Sequence, residues 1–170
     1  MTPNSSSPTP TTDDGRASCV SAMTLTHRLI LPADANHHGT LYAGSLMRIA
    51  LEAAYTTAFR AVGDTANLLL RRVLSLECYR PVPVGTMIEI RGTVLHLTRA
   101  YLVAGLISSP LSGQRSPWMD GLMGFVQVDA EGRPAEFPDG LAIDPPDGDW
   151  QALHQRMLKL LRIRGRNGVD

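Results

Sequence analysis

The hydrophobic period of this chain changes once, and the change limits what it can fold into. Over residues 45–62, "SLMRIALEAAYTTAFRAV", Leu46, Ile49, Ala50, Ala53, Ala54 and Thr57 recur at helical spacing. Gly63 stops the pattern and Ser45 is placed to cap it. The small alanines at 50, 53, 54 and 58 suit a helix lying close against a sheet. From residue 68 the pattern has period two and is rich in β-formers. Strands are expected at 68–82, 86–100, 101–109 and within 119–138, with a first strand at 21–31 ahead of the helix. The "PADANHHGTLYAG" segment (32–44) reads as a loop, and "PLSGQRSPW" (110–118) as a polar hairpin connection. Hairpin-length joints between successive strands demand antiparallel pairing. The order strand, loop, long helix, strands therefore predicts an α+β layout, one helix against one antiparallel sheet. Such a sheet leaves its edges uncovered, which favours pairing with a second copy of the chain.

The ends of the chain differ from its middle. Residues 1–20 are rich in Ser, Thr and Pro and poor in apolar content, so disorder is expected there. Residues 21–142 read as one domain. Residues 143–170 read as a linker, "IDPPDGD", followed by an amphipathic helix, "WQALHQRMLKLLRIR", with a basic C-terminal end. Sixteen basic residues balance sixteen acidic ones, so net charge gives no reason to expect a nucleic-acid or membrane partner. No apolar run reaches the roughly 18 residues of a membrane span, and the N-terminus has no charged start followed by an apolar stretch. A cytoplasmic protein is the expectation. Two cysteines make no disulfide framework; Cys19 and Cys78 read as free thiols, Cys78 as a small buried hydrophobe.

Residues that could carry chemistry gather in "DANHHGTLYAGSLMRIALEAAY" (34–55). Asp34 and Asn36 are loop-forming residues through Asx-type hydrogen bonds, and either could also meet an attacking water. His37 and His38 titrate near neutrality, so His38 is a candidate for proton transfer, against the alternative of an exposed loop. No Cys, His or acid cluster at ligand spacing accompanies them, so no metal site is expected. Ser45 lacks the Gly-x-Ser-x-Gly elbow of a nucleophile. Glu52 is either a catalytic carboxylate or the exposed i, i+4 partner of Arg48. Arg99 and Tyr101 sit near a bend, and Arg71, Arg72 and Arg80 form a second basic set.

Four segments in order resemble the hotdog-fold acyl-CoA thioesterases, in particular the branch of bacterial short-chain and cytosolic acyl-CoA hydrolases. Pro32, Asp34, Asn36, Gly39 and Gly44 match its P-x-D-x-N-x-x-G motif and following small-residue pair. "YRPVPVGTMIEIRG" (79–92), "LTRAYLVAGLI" (97–107) and "GFVQVDAEGRP" (124–134) match its later strands and turns. The likeness spans residues 24–138, leaving out the tail and the last helix. It implies a hotdog fold, an antiparallel sheet wrapped on one long central helix. It also implies hydrolysis of an acyl-CoA thioester to free acid and coenzyme A, by a homodimer or a dimer-based higher assembly, with no metal or organic cofactor. In that scheme the backbone N–H groups of Ala43, Gly44 and Ser45 hold the oxyanion. Glu52 assists water or acts as nucleophile, and Arg99, Tyr101 and Arg80 meet coenzyme A.

Two positions depart from the family pattern. The acid usually stands seven residues after the second glycine, where this chain has Leu51; Glu52 follows one place later, about 100° around the helix. Ala43 replaces the first glycine of the pair, which would restrict any positive φ there. These departures leave open an acyl-thioester-binding protein without hydrolysis and, further off, a thioester dehydratase.

Overall fold

The computed structural model describes residues 23–113 and 116–166. The expected disordered tail and Cys19 lie outside them. Five antiparallel strands, β1 (Thr24–Leu29), β2 (Leu68–Cys78), β3 (Met87–Leu97), β4 (Tyr101–Pro110) and β5 (Met119–Gln127), form one sheet in the order β1-β3-β4-β5-β2. The hairpins β3-β4 and β4-β5 are the ones that the short connections predict. β2 is not beside its successor; it crosses to the far edge and pairs with β5.

Helix α1 (Ala43–Val62) packs on one face of this sheet. Its buried stripe is Ile49, Ala50, Ala53, Ala54, Thr57, Ala58 and Val62, close to the periodic set read from the sequence. Small side chains bring helix and sheet near enough for a polar tie. Thr57 Oγ1 and Thr24 Oγ1 lie 2.6 Å apart in the core, and Thr57 also donates to the Ala53 carbonyl at 2.8 Å. Gly92 lies against that pair, and a Cβ there would come within 2.1 Å of Thr57 Oγ1.

The opposite face of the sheet is covered by α2 (Asp149–Arg166). Trp150, Leu153 and Met157 bury themselves against Leu95, Val103, Ile107 and Leu122. Arg156 of the same helix pairs with Glu77 at 3.0 Å and with Asp120, which also accepts from Tyr79 Oη. No helix among the described residues is long and apolar enough to cross a membrane.

Three local expectations are corrected. The helix starts two residues earlier than its apolar pattern: Tyr42 is its N-cap, without a side-chain bond, and Ser45 lies inside the first turn. The β2 ladder stops at Cys78, ahead of Pro81, which has no N–H to donate. Cys78 itself is exposed rather than buried, because it is the last paired residue of an edge strand.

Candidate active site

The loop ahead of α1 is built by its own side chains. Asn36 Oδ1 accepts from the backbone N–H of His38 at 2.9 Å and of Thr40 at 3.3 Å, and its amide donates to Thr40 Oγ1 at 3.1 Å. Asn36 is thus the Asx-type loop former that its residue type suggests. Gly39 takes φ 73°, a value that glycine adopts without strain. His37 and His38 are exposed, their rings 3.8 Å apart between centroids.

Asp34 is buried, and its carboxylate is fully engaged. It accepts from the Leu31 backbone N–H at 3.3 Å, from Arg28 Nη2 at 3.1 and 3.3 Å, and from Arg48 Nη2 at 3.1 Å. The Leu31 N–H, together with the Arg28 and Arg48 charges, holds its pKa below the ordinary carboxylate value, with burial opposing. Arg48 spans two acids: its other terminal nitrogen lies 3.2 Å from Glu52 Oε1. Asp34 and Glu52, separated by eighteen positions, are therefore joined through one guanidinium. Arg28 was not legible as a member of this group; it stands on β1, and nothing in its local pattern marks it.

The start of α1 is open. Its first intrahelical bond runs from the Leu46 N–H to the Tyr42 carbonyl, and no side chain caps the turn. The N–H groups of Ala43, Gly44 and Ser45 precede that bond, at the positive end of the helix dipole. Ala43 and Gly44 are exposed. Ala43 has no positive φ, so its side chain costs nothing there. Gly44 is needed for another reason: a Cβ would stand 2.5 Å from Tyr42 Cε1, so glycine lets the tyrosine ring lie across the first turn.

Leu51 is half-buried and packs on the inner core, whereas the Glu52 side chain is 59% exposed. The helix and the edge strand carry exposed apolar side chains: Met47, Tyr55 and Phe59 of α1, and Leu70 and Val73 of β2. Leu70 and Val73 oppose Phe125 and Met123, whose side chains are in the inner core, so they face the α1 side of the sheet.

The three residues expected at coenzyme A are not brought together. Arg99 pairs with Glu136 at 2.7 Å beside a cleft of about 270 Å³ formed with Leu97 and Phe137. Arg80 donates to the Ser116 carbonyl. Tyr101 lies on the outer face of the sheet, among the residues packed by α2. Among the described residues no group of three His, Cys, Asp or Glu side chains is placed to hold a metal ion.

No family model matches the sequence, and no curated protein does. Solved structures do match the fold. An acyl-CoA hydrolase from Staphylococcus aureus, solved with butyryl coenzyme A, coenzyme A and coenzyme A disulfide, agrees with a TM-score of 0.74 at 20% identity, covering 86% of this chain and 88% of its own. Variants of that hydrolase with an Asp or an Asn replaced by alanine match equally well. A hexameric acyl-CoA thioesterase in its apo form agrees at 0.73 with 23% identity, over 86% of this chain and 92% of its own. An acyl-CoA hydrolase from Bacillus cereus gives 0.72 with 17% identity, over 86% and 88%. The chain has the hotdog fold.

Proposed function

We propose that the chain is an acyl-CoA thioesterase. The observation that carries the reading is the start of α1, where no side chain caps the N–H groups of Ala43, Gly44 and Ser45, on a fold shared with acyl-CoA hydrolases. A thioester carbonyl seated there gains donors where its oxygen becomes negative. Water attacks the carbonyl carbon and Glu52 takes the proton. The tetrahedral intermediate then expels the thiolate of coenzyme A, which takes the proton back from Glu52, leaving the free acid. The chemistry asks for no metal or organic cofactor.

Helix geometry sets a condition on this scheme. Glu52 lies seven residues beyond Ser45, about 10 Å along the axis at 1.5 Å per residue. A glutamate side chain spans roughly half of that, so Glu52 serves a carbonyl held at the helix start of a second copy rather than its own. α1 and the edge strand β2 carry an exposed apolar surface, with Tyr55 and Phe59 about one and two turns beyond Glu52 and with Met47, Leu70 and Val73. A homodimer, alone or within a larger assembly, covers it. Arg48 holds the Glu52 carboxylate in place while itself anchored on buried Asp34.

The test uses purified protein, a panel of acyl-CoAs and a thiol-detecting reagent. Release of coenzyme A from at least one acyl chain is expected, and silence across the panel overturns the proposal. One observation favours a second reading, a protein that holds acyl-CoA without hydrolysing it. The Asn and Asp replaced in the S. aureus hydrolase lie fifteen positions apart. The same interval from Asn36 reaches Leu51, which packs on the core instead of presenting an acid. Calorimetric binding of acyl-CoA without turnover would select that reading.

A further inference from the structure

Several arginines of the chain are neutralised by acids. Arg28, Arg48, Arg91, Arg99 and Arg156 each lie on a carboxylate. Arg71 and Arg72, adjacent on β2, have no such partner among the described residues. Neighbours on a regular strand point to opposite faces. Here a β-bulge intervenes: Leu70 pairs with Phe125 and Arg72 with Gly124, so Arg71 is the extra residue. Phe125 belongs to the inner core, and Gly124 lies beneath Tyr101 on the outer face. Arg72, opposite Gly124, therefore turns outward, and the bulge carries Arg71 to the same side.

The two guanidiniums, Tyr101 of β4 and Leu161 of α2 line one cleft of about 310 Å³. Its floor is shaped for the tyrosine, since a Cβ on Gly124 would come 2.0 Å from Tyr101 Oη. The imidazole of His96 meets that ring edge to face at 6.3 Å between centroids. Burial first, and then the charge of His154 on α2, hold the His96 pKa below its ordinary value. Among the described residues no acidic side chain lines the cleft. Two like charges forced to one side of a strand gain from an anion between them. The planar guanidinium fork matches phosphate oxygens in pairs.

We propose that this outer cleft binds a phosphate-bearing small molecule, the phosphate held between Arg71 and Arg72 and an aromatic or apolar part resting on Tyr101 and Leu161. The site lies on the face of the sheet opposite α1, so it goes beyond the thioester chemistry at the helix start. The phosphate belongs either to the nucleotide end of a coenzyme A ester or to a separate phosphorylated ligand.

Calorimetry on the full chain at low salt, with ADP, adenosine and inorganic phosphate as probes, tests this. ADP is expected to bind at least tenfold more tightly than adenosine. The R71Q/R72Q variant is expected to lose at least tenfold of the ADP affinity while keeping its far-UV spectrum. If that variant does not fold, backbone NMR of the wild type replaces it, with ADP expected to shift the Arg71, Arg72 and Tyr101 resonances. Competition with acetyl-CoA separates the two sources. Displacement of ADP assigns the phosphate to the coenzyme, and simultaneous binding assigns it to a separate ligand; either keeps the site. Absence of ADP and phosphate binding, unchanged affinity in R71Q/R72Q, or shifts confined to another region overturns the proposal. The readout is binding, so it stands whether or not the chain hydrolyses a thioester.

Discussion

Replacing Glu52 by Gln separates catalysis from stability, because the two effects differ greatly in size. In the folded chain the Glu52 carboxylate meets Arg48 at 3.2 Å, with side-chain exposures of 59% and 49%. An exposed i, i+4 pair contributes about 0.3–0.5 kcal/mol. For a chain of this length that is a change of about 1–2 °C in Tm. Arg48 keeps its other partner, buried Asp34, so the loop ahead of α1 stays anchored. As general base, by contrast, Glu52 accounts for about 10²–10⁴-fold in rate. The assay is steady-state release of coenzyme A from the best acyl-CoA, alongside thermal unfolding of both proteins. A fall in kcat of at least about 10² with Tm nearly unmoved is expected. A kcat within about twofold of wild type would refute the reasoning and leave Glu52 as a surface partner of Arg48.

Other substitutions probe the scaffold. Gly92→Ala places a Cβ 2.1 Å from Thr57 Oγ1 and 2.6 Å from Thr24 Oγ1; overpacking of about 1–3 kcal/mol is expected in thermal unfolding, partly restored in G92A/T57A. Met157→Ala empties a fully buried position between α2 and the sheet and should cost about 2–5 kcal/mol in urea unfolding. Asp34 titrates below its ordinary value, so its ionised form stabilises the fold above the unfolded pKa of about 3.9 and the contribution is lost as pH falls through the lower folded value. The stability gap between wild type and Asp34→Asn should therefore be widest near neutrality and shrink in acid, read as urea midpoints across pH.

Residues whose role is set by their neighbours in sequence were legible; those set across the sheet were not. The α1 stripe follows directly from apolar spacing, and Asn36 from the loop chemistry of its residue type. The hairpins of β3, β4 and β5 follow from short connections. The place of β2 does not, because its partner β5 is some fifty residues away and pairing over that distance leaves no local trace. Its two bulges are equally silent, yet the first decides that Arg71 and Arg72 share a face. At the helix start, the first apolar residue marked the wrong boundary. Tyr42, without any capping oxygen in use, begins α1 and leaves its N–H groups open. Asp34 reads as a loop former, but the fold adds two guanidiniums to it, one from β1 and one from the second turn of α1.

The most direct measurement of the central claim is a single turnover in ¹⁸O-labelled water, with excess protein over acyl-CoA and mass spectrometry of both products. Attack by water at the thioester carbonyl, assisted by Glu52, predicts free coenzyme A and an acid carrying one ¹⁸O atom in the first turnover. Recovery of intact acyl-CoA, or an unlabelled acid with ¹⁸O retained on Glu52, would contradict it.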